Sequence, residues 1–261
     1  MYNNKSKVNR KHLLSIITIN LNNINGLKKT IKSVLAQNDR DFEYLVIDGL
    51  SSDGSIEFIK GIDESEGVKY VIEEDAGIYD AMQKAVEIAS GEFILFLNSG
   101  DEFAEKNITN FIKKNCINYD LIYGDIRFYN KSNNLKRTWI SGDFKKWKLF
   151  FGWMPPHPSL VAKASLISRL GGFDKNYAIS GDYDLILRML FEPNIKVKWI
   201  RKFITNMETN GKSTSSLKNI MIANLECLGA WGRKFHYFVP IWIIVTKPAS
   251  KLLQLHWPYK K

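Results

Sequence analysis

The sequence predicts an α/β fold in which helices flank a mostly parallel sheet, followed by a basic, amphipathic helical tail. Three observations carry this prediction. Short apolar runs alternate with stretches of helical periodicity over the first hundred residues, as they do in βαβ units. Polar residues follow each of the first four apolar runs. Residues 227–261 combine basic residues and tryptophans with an apolar run.

The first strand is predicted from the β-branched run at residues 13–20. Leu27, Ile31 and Val34 then recur at helical spacing, which predicts a helix over residues 26–37. The same half continues with strands at 42–47, 68–72 and 93–97 and helices at 55–62 and 78–89. The last of these strands is apolar throughout, so we expect it to be central in the sheet.

The second half of the chain has a less regular pattern. A strand is predicted at residues 121–126 and a helix at 164–170, which the pair Gly171-Gly172 would end. The remaining predicted elements are a turn at 131–134, a rigid proline-rich loop at 153–158, a helix at 183–191, a strand at 196–200 and a polar loop at 209–216.

Composition narrows the class of protein. With 261 residues, 45% hydrophobic and 25% charged, the chain can form a sizeable core and is not a disordered sequence. Two cysteines, Cys116 and Cys227, suit neither a disulfide framework nor a zinc site and favour a reducing cytosol. The basic extension at residues 1–12 lacks the apolar core of a secretory signal, and no run is long enough to span a bilayer.

Positive charge is concentrated at the end of the chain. Lys and Arg number 37 against 27 Asp and Glu, a net charge of +10 that favours anionic partners. Residues 227–261 contain no acid, yet include Trp231, Trp242 and Trp257 beside an apolar run at 238–245. This mixture is typical of a segment that lies on a membrane surface. The alternatives are a helix docked on the domain or a contact with a second subunit, which would make a homodimer.

Acids at the ends of the predicted strands are the strongest sign of chemistry. The carboxyl ends of parallel strands meet at one sheet edge, where α/β proteins bind ligands. Sequence motifs for dinucleotide binding, a phosphate loop, zinc ligation and a serine nucleophile are all missing. Carboxylates remain, and they suit Mg²⁺ or Mn²⁺ with a phosphorylated substrate. The candidates are Asp48, Asp53, Asp75, Asp101 and Asp182, of which Asp53 best fits a simple helix cap.

The chain resembles the family-2 glycosyltransferases with the GT-A fold, in particular those of bacterial capsule, exopolysaccharide and O-antigen synthesis. The resemblance rests on motifs between residues 13 and 207, taken in order: 15–20, 46–49 with 52–54, 74–82, 89–92, 97–101, 171–174 and 181–185. It implies a transferase domain over residues 13–226, with a nucleotide-sugar half at about 13–105 and an acceptor half at about 106–226, ahead of the tail at 227–261.

The resemblance also assigns roles to individual residues. It implies that Asp182 is the general base, and that Asp101 is the metal ligand in a motif where Gly100 replaces the usual second acid. The donor nucleotide sugar is assigned to Thr18, Asn20, Asp48, Asp75, Asn98 and Ser99. Acceptor contacts are expected from Trp153, His157 and Tyr183, although the histidine and both aromatic residues could equally belong to the core. Lys84 or Lys212 could help to neutralise the departing diphosphate.

The expected function is inverting transfer of a sugar, as a hexosyl or N-acetylhexosaminyl transferase. The donor would be a nucleotide-diphosphate sugar, with a UDP-sugar favoured, and the acceptor a saccharide, in particular a lipid-linked one. Mn²⁺ or Mg²⁺ is the expected cofactor, and the inner face of the cell membrane the expected location. Two alternatives are a nucleotidyltransferase of related fold and a basic nucleic-acid-binding protein. Against these, residues 19–26 lack a basic glycine-rich loop and no nucleic-acid motif is present.

Overall fold

A nine-stranded sheet forms the centre of the computed structural model, which describes residues 12–130, 132–209, 216–234, 240–243 and 246. In chain order the strands are β1 His12–Asn20, β2 Glu43–Asp48, β3 Val68–Ile72, β4 Gly91–Phe96, β5 Glu102–Phe103, β6 Leu121–Tyr129, β7 Leu135–Trp139, β8 Leu160–Lys163 and β9 Val197–Glu208. Their spatial order is β3-β2-β1-β4-β8-β6-β9-β5, and β7 pairs with β6 outside this path. The predicted α/β class is confirmed.

The first half of the sheet is parallel, as predicted. β3, β2, β1 and β4 run in the same direction, and the register aligns Asn20 with Asp48 at the carboxyl ends of β1 and β2. The second half is mixed: β8 is antiparallel to both β4 and β6, whereas β6 and β9 are parallel. The expectation of a mostly parallel sheet therefore holds only for the first four strands.

Helices cover both faces of the sheet. They are α1 Ile24–Leu35, α2 Ser55–Lys60, α3 Ile78–Ile88, α4 Ile108–Cys116, α5 Lys146–Leu149, α6 Ala164–Arg169, α7 Gly181–Leu190 and α8 Leu217–Lys234, with 3-10 turns at Glu64–Glu66 and His157–Ser159. Side chains alternate along a strand, so Ile17 and Ile19 pack with α3, α6, α7 and α8, while Leu14 and Ile16 pack with α1 and α4.

The expected boundary between domain and tail lies inside α8, because this helix continues through residues 226 and 227. Cys227 and Trp231 are buried in the core, and the Trp231 indole donates a hydrogen bond to the Tyr183 hydroxyl at 2.7 Å. The extension at residues 1–11, Lys212 and most of the tail, including Trp257, lie outside the described residues. Membrane association of the tail stays a prediction.

Within the described part of the chain, no helix is both long and apolar enough to cross a bilayer.

Glu43, at the start of β2, is a buried carboxylate that ties three strands together. One oxygen accepts hydrogen bonds from the Ser15 hydroxyl and the Ser90 backbone N–H, both at 2.6 Å, and the other accepts from Lys69 at 2.8 Å. Burial raises the pKa of Glu43, but these hydrogen bonds outweigh it and leave the pKa below its ordinary value. Glu43 is therefore ionised and stabilises the folded state at neutral pH.

We expect Glu43→Gln to lower the free energy of unfolding by about 2 kcal/mol near neutral pH. The amide keeps the size of the side chain but loses its charge and one acceptor oxygen. Since the pKa is lowered by folding, the stabilisation is present above the ordinary pKa and is lost as the pH falls through the folded value. Urea unfolding at neutral and acid pH measures this, with the exposed Glu66→Gln as control. An equal loss at both pH values would contradict the charged role.

Candidate active site

The carboxyl ends of β1 and β2 form the floor of the candidate site. The buried Asp48 carboxylate accepts hydrogen bonds from the Asn20 side-chain amide at 2.7 Å and from the Ser51 backbone N–H and hydroxyl at 2.7 and 2.9 Å. These bonds hold the loop after β2, in which Leu50 adopts a positive φ of 62°. The side-chain oxygen of Asn20, Oδ1, is buried and has no hydrogen-bond partner among the described residues. It is an acceptor available at the strand end.

Asp75 approaches this loop from the end of β3. One of its oxygens accepts a hydrogen bond from the Gly77 backbone N–H at 2.9 Å. The other lies so close to Gly49 that a Cβ atom there would be 2.3 Å from it. Glycine at position 49 therefore allows the Asp75 carboxylate to lie against the loop that Asp48 holds. The structure brings Asn20, Asp48 and Asp75 together, as the strand order predicts.

Residues 98–101 form a tight turn, which Leu97 joins to the end of β4. The Asp101 backbone N–H bonds the Asn98 carbonyl at 2.9 Å, and Gly100 has a φ of 104°, which glycine adopts without strain. Thr30 of α1 fixes the turn, because its hydroxyl accepts from the Gly100 N–H at 2.9 Å and donates to the Asp101 carbonyl at 2.7 Å. The Ser99 N–H bonds the carbonyl of Ile19 at 3.1 Å, which joins the turn to β1.

The Asp101 carboxylate is a desolvated acid that can hold a cation. The residue is only 7% exposed, and burial, with a contribution from the neighbouring Glu102, raises the pKa of Asp101 to about 8. A second buried oxygen of the same turn, Asn98 Oδ1, has no hydrogen-bond partner among the described residues. The described residues contain no cluster of three or more metal-ligating side chains. These oxygens fit a Mg²⁺ or Mn²⁺ ion that takes its remaining ligands from substrate phosphates and water.

Asp182 lies in the first turn of α7, opposite the start of α3. Its Oδ1 accepts a hydrogen bond from the Tyr183 backbone N–H at 2.8 Å and lies 3.3 Å from the Tyr79 hydroxyl, which also donates to the Ile179 carbonyl. The Tyr79 ring lies against Gly181, where a Cβ atom would approach it to 2.8 Å. Glycine before the aspartate therefore permits the contact between α3 and α7 that places Asp182 near the strand ends.

Aromatic side chains enclose this acid on one side. His157 stacks on Phe96 at a ring distance of 5.6 Å, Phe173 meets Phe96 edge-on at 5.3 Å, and Tyr79 stacks on Phe173 at 6.0 Å. Burial lowers the pKa of His157, while the charge of Asp182 opposes this shift. His157 is therefore part of the surroundings of Asp182. Phe96 and Phe173 were not expected here; the Gly-Gly-Phe-Asp motif was the only sequence signal for Phe173.

The other expected acceptor residues have different environments. Trp153 is partly buried, contacts Tyr123 edge-on, and donates its indole N–H to the Ser141 carbonyl at 2.7 Å. Tyr183 is only 3% exposed, and its hydroxyl accepts a hydrogen bond from the Trp231 indole. Its ring lies in the core, which leaves no face for a sugar to stack on. The expectation that Tyr183 contacts the acceptor is therefore wrong.

Two further expectations concern Thr18 and Lys84. The Thr18 hydroxyl is fully buried and bonded to the Leu97 carbonyl at 2.8 Å, so only the backbone of Thr18 could line a donor pocket. Lys84 donates a hydrogen bond to the Glu74 carbonyl and forms ion pairs with Glu73 and Asp80. Its charge is therefore paired with acids at the surface of α3.

Asp53 is structural, as its sequence position suggested, and so is Asp184. The Asp53 carboxylate accepts hydrogen bonds from the backbone N–H groups of Ile24 and Ser55, at the starts of α1 and α2. Asp184 is buried between Tyr177 and Arg188.

The family-model match and the named relatives are all glycosyltransferases. The family described as Glycosyl transferase family 2 matches residues 15–165. An uncharacterized glycosyltransferase of Mycobacterium tuberculosis is 27% identical over 86% of each chain. A PGL/p-HBAD biosynthesis glycosyltransferase of the same species is 26% identical over 78% of this chain and 80% of its own. TuaG of Bacillus subtilis, named for teichuronic acid biosynthesis, is 33% identical over 41% and 45%.

Solved structures share the fold. Residues 1–349 of S. aureus TarS, in complex with UDP-GlcNAc, give a TM-score of 0.61 at 14% identity, covering 86% of this chain and 73% of that one. The mannosyltransferase PcManGT of Pyrobaculum calidifontis, in complex with GDP-Man and Mn²⁺, gives 0.61 at 12% identity, covering 91% and 73%. The family match spans more than half of the sequence and includes the strand-end acids of the site. This chain therefore belongs to glycosyl transferase family 2.

Proposed function

We propose that this chain transfers a hexosyl or N-acetylhexosaminyl group from a UDP-sugar to a saccharide acceptor, with inversion at the anomeric carbon. The product would be a bacterial surface polysaccharide of the capsule, exopolysaccharide or O-antigen type. One observation carries the proposal: acids from separate elements, Asp48, Asp75, Asp101 and Asp182, are gathered around one edge of the sheet. The relatives named for PGL/p-HBAD and teichuronic acid biosynthesis support a cell-surface product.

The donor site lies over the strand ends in this proposal. Asp48 and Asp75 shape the nucleoside pocket, because Asp48 holds the loop after β2 and the Asp75 carboxylate lies against Gly49 of that loop. Asn20 supplies the free acceptor described above, and Thr18 contributes through its backbone. Asn98 and Ser99 border the diphosphate. The structural neighbours in complex with UDP-GlcNAc and GDP-Man support a nucleotide-sugar donor.

Asp101 is the proposed ligand of a divalent cation, Mn²⁺ or Mg²⁺, which would offset the negative charge on the departing diphosphate. The fit rests on the chemistry of the side chains. A carboxylate that is desolvated and has no cationic neighbour contributing to its pKa gains most from an added positive charge. The neighbour in complex with GDP-Man and Mn²⁺ supports the same cofactor.

Asp182 is the proposed general base. It takes the proton of an acceptor hydroxyl as that oxygen forms a bond to the anomeric carbon of the donor sugar, and the bond from this carbon to the diphosphate breaks with its electron pair. A single displacement of this kind inverts the anomeric carbon. Tyr79 and the Tyr183 backbone N–H orient the carboxylate, and His157 with its aromatic neighbours limits access of water.

The acceptor half, residues 106–226, is proposed to face a lipid-linked saccharide, with Trp153 and His157 on the acceptor side. Membrane attachment would come from the basic tail at residues 227–261, which places the enzyme at the inner face of the cell membrane. The absence of acids from this segment supports attraction to anionic lipid. A homodimer contact through the tail is the alternative.

A thermal-shift screen with sugar conjugates of UDP, GDP, dTDP and CMP, each with Mn²⁺ or EDTA, tests the donor assignment. A ligand that binds only the folded state raises the melting temperature. We expect UDP-sugars to stabilise the chain, and to do so more strongly with Mn²⁺ than with EDTA. Stabilisation by another nucleotide would change the donor, and the lack of a shift together with no sugar transfer would refute the proposed function.

A further inference from the structure

An exposed aromatic face surrounds the short helix α5. Trp147 is 58% exposed and Phe151 is 52% exposed, and their rings contact each other edge-on at 5.9 Å. This contact places the two side chains on the same side of the segment. Ile241 and Trp242 are also exposed. We call Trp147, Phe151, Ile241 and Trp242 the aromatic face.

The aromatic face is built on an anchored segment. Leu149 of α5 is buried, and the Phe150 ring packs on Trp231 at 4.9 Å and on Phe191 at 5.9 Å. The Trp242 indole donates a hydrogen bond to the Phe150 carbonyl at 2.8 Å, which joins residues 240–243 to α5. The core thus holds one side of this segment and leaves Trp147 and Phe151 directed outward.

Positive charge surrounds the aromatic face. Lys145 and Lys146 are exposed, and Lys148 is half-buried and donates to the Asp143 carbonyl. The sequence has no Asp or Glu from residue 144 to residue 173, or from residue 227 to the end. Tryptophan and phenylalanine beside lysines are the residues that settle at the boundary between headgroups and acyl chains. This charge and composition select an anionic bilayer as the occupant, since a saccharide would not require the lysines.

The aromatic face lies next to the loop at 153–158, on the proposed acceptor side of the site. Residue 151 is only six positions before His157, which stacks on Phe96 and feels the charge of Asp182. Trp153, between them, is fixed by its bond to Ser141. A bilayer on the aromatic face would therefore lie beside the loop at 153–158, close to where an acceptor anchored in lipid could enter.

We propose that the aromatic face, with Lys145 and Lys146, docks on an anionic lipid surface and holds the acceptor side of the site at headgroup level. The proposal rests on the membrane association proposed above, but assigns it to a folded surface that includes α5 in addition to the tail. Each element of the face supplies part of the binding: aromatic rings enter the boundary region and lysines attract anionic headgroups.

Co-sedimentation of the full chain with vesicles tests this proposal, using phosphatidylglycerol with phosphatidylcholine, or phosphatidylcholine alone. The double variant Trp147→Ser/Phe151→Ser should bind anionic vesicles about tenfold more weakly. Lys145→Gln/Lys146→Gln should bind more weakly at low salt and show less loss of binding on addition of salt. The matched control is Ile117→Ser/Leu135→Ser, which removes two side chains of similar exposure, 62% and 52%, elsewhere on the surface.

Melting temperatures and nucleotide-induced shifts are measured for every variant, so that unfolding is not mistaken for lost binding. The role of α5 would be overturned if Trp147→Ser/Phe151→Ser and the control reduced vesicle binding equally, or if neither reduced it. The tail would then remain as the membrane contact. Failure of the wild type to bind either vesicle would overturn this inference and the proposed membrane attachment together. The donor screen would still report separately on sugar transfer.

Discussion

Replacing Asp182 by asparagine is expected to slow sugar transfer by about 10²–10⁴-fold, the usual cost of losing a general base. Asparagine has nearly the same shape, and its Oδ1 can still accept hydrogen bonds from the Tyr183 backbone N–H and the Tyr79 hydroxyl. The local structure should therefore persist, while the side chain can no longer take a proton from the acceptor. The effect should appear in kcat.

Donor binding should survive in Asp182→Asn, because the proposed donor contacts come from the ends of β1, β2 and β3 and from the turn after β4. The measurements are initial rates of sugar transfer together with the thermal shift produced by the donor and Mn²⁺. Asp63→Asn is a suitable control, since Asp63 caps a 3-10 turn before β3, at the opposite edge of the sheet. A variant that transfers sugar at the wild-type rate, or that loses donor affinity with its rate, would contradict the role of Asp182 as base.

Local sequence patterns predict the first half of the fold because its strands are buried and its helices have a clear apolar side. The prediction for β3, residues 68–72, matches the structure in both bounds. The second half depends on contacts that are distant in sequence. β7 has no apolar alternation and none of its residues is buried, and the four-residue β8 gains its place by pairing with β4 and β6. α4 was not predicted, although Ile108, Ile112 and Cys116 have helical spacing.

The acids of the candidate site could be identified from motifs, but their environments could not. The sequence does not reveal that Asp48 is satisfied by Asn20 and Ser51, since this depends on the register of β1 with β2. Whether Tyr183 faces substrate or core depends on Trp231, which lies 48 positions later in the chain. Side-chain direction on α7 is thus determined by α8, which local periodicity cannot anticipate.

Asp101→Asn should have opposite effects on the metal-free and the donor-bound protein. Burial and Glu102 raise the pKa of Asp101 from its ordinary value of 3.8 to about 8, so the folded state binds this proton more tightly than the unfolded state. The stability of the wild type therefore falls as the pH rises between these two values. Asparagine carries no charge at any pH, and we expect the metal-free variant to be more stable near pH 8, by on the order of 5 kcal/mol.

The advantage of Asp101→Asn should be reversed when donor and Mn²⁺ are added, because the variant lacks the carboxylate proposed to hold the cation. We expect its Mn²⁺-dependent affinity for the donor to fall at least about tenfold, since even groups outside a coordination sphere contribute that much to metal affinity. Thermal unfolding across pH, with and without donor and Mn²⁺, measures both effects. Glu102→Gln, which removes the adjacent charge, should retain the Mn²⁺ dependence. Unchanged Mn²⁺ dependence in Asp101→Asn would exclude Asp101 as ligand, whereas an unchanged pH profile would show that its carboxylate is not desolvated.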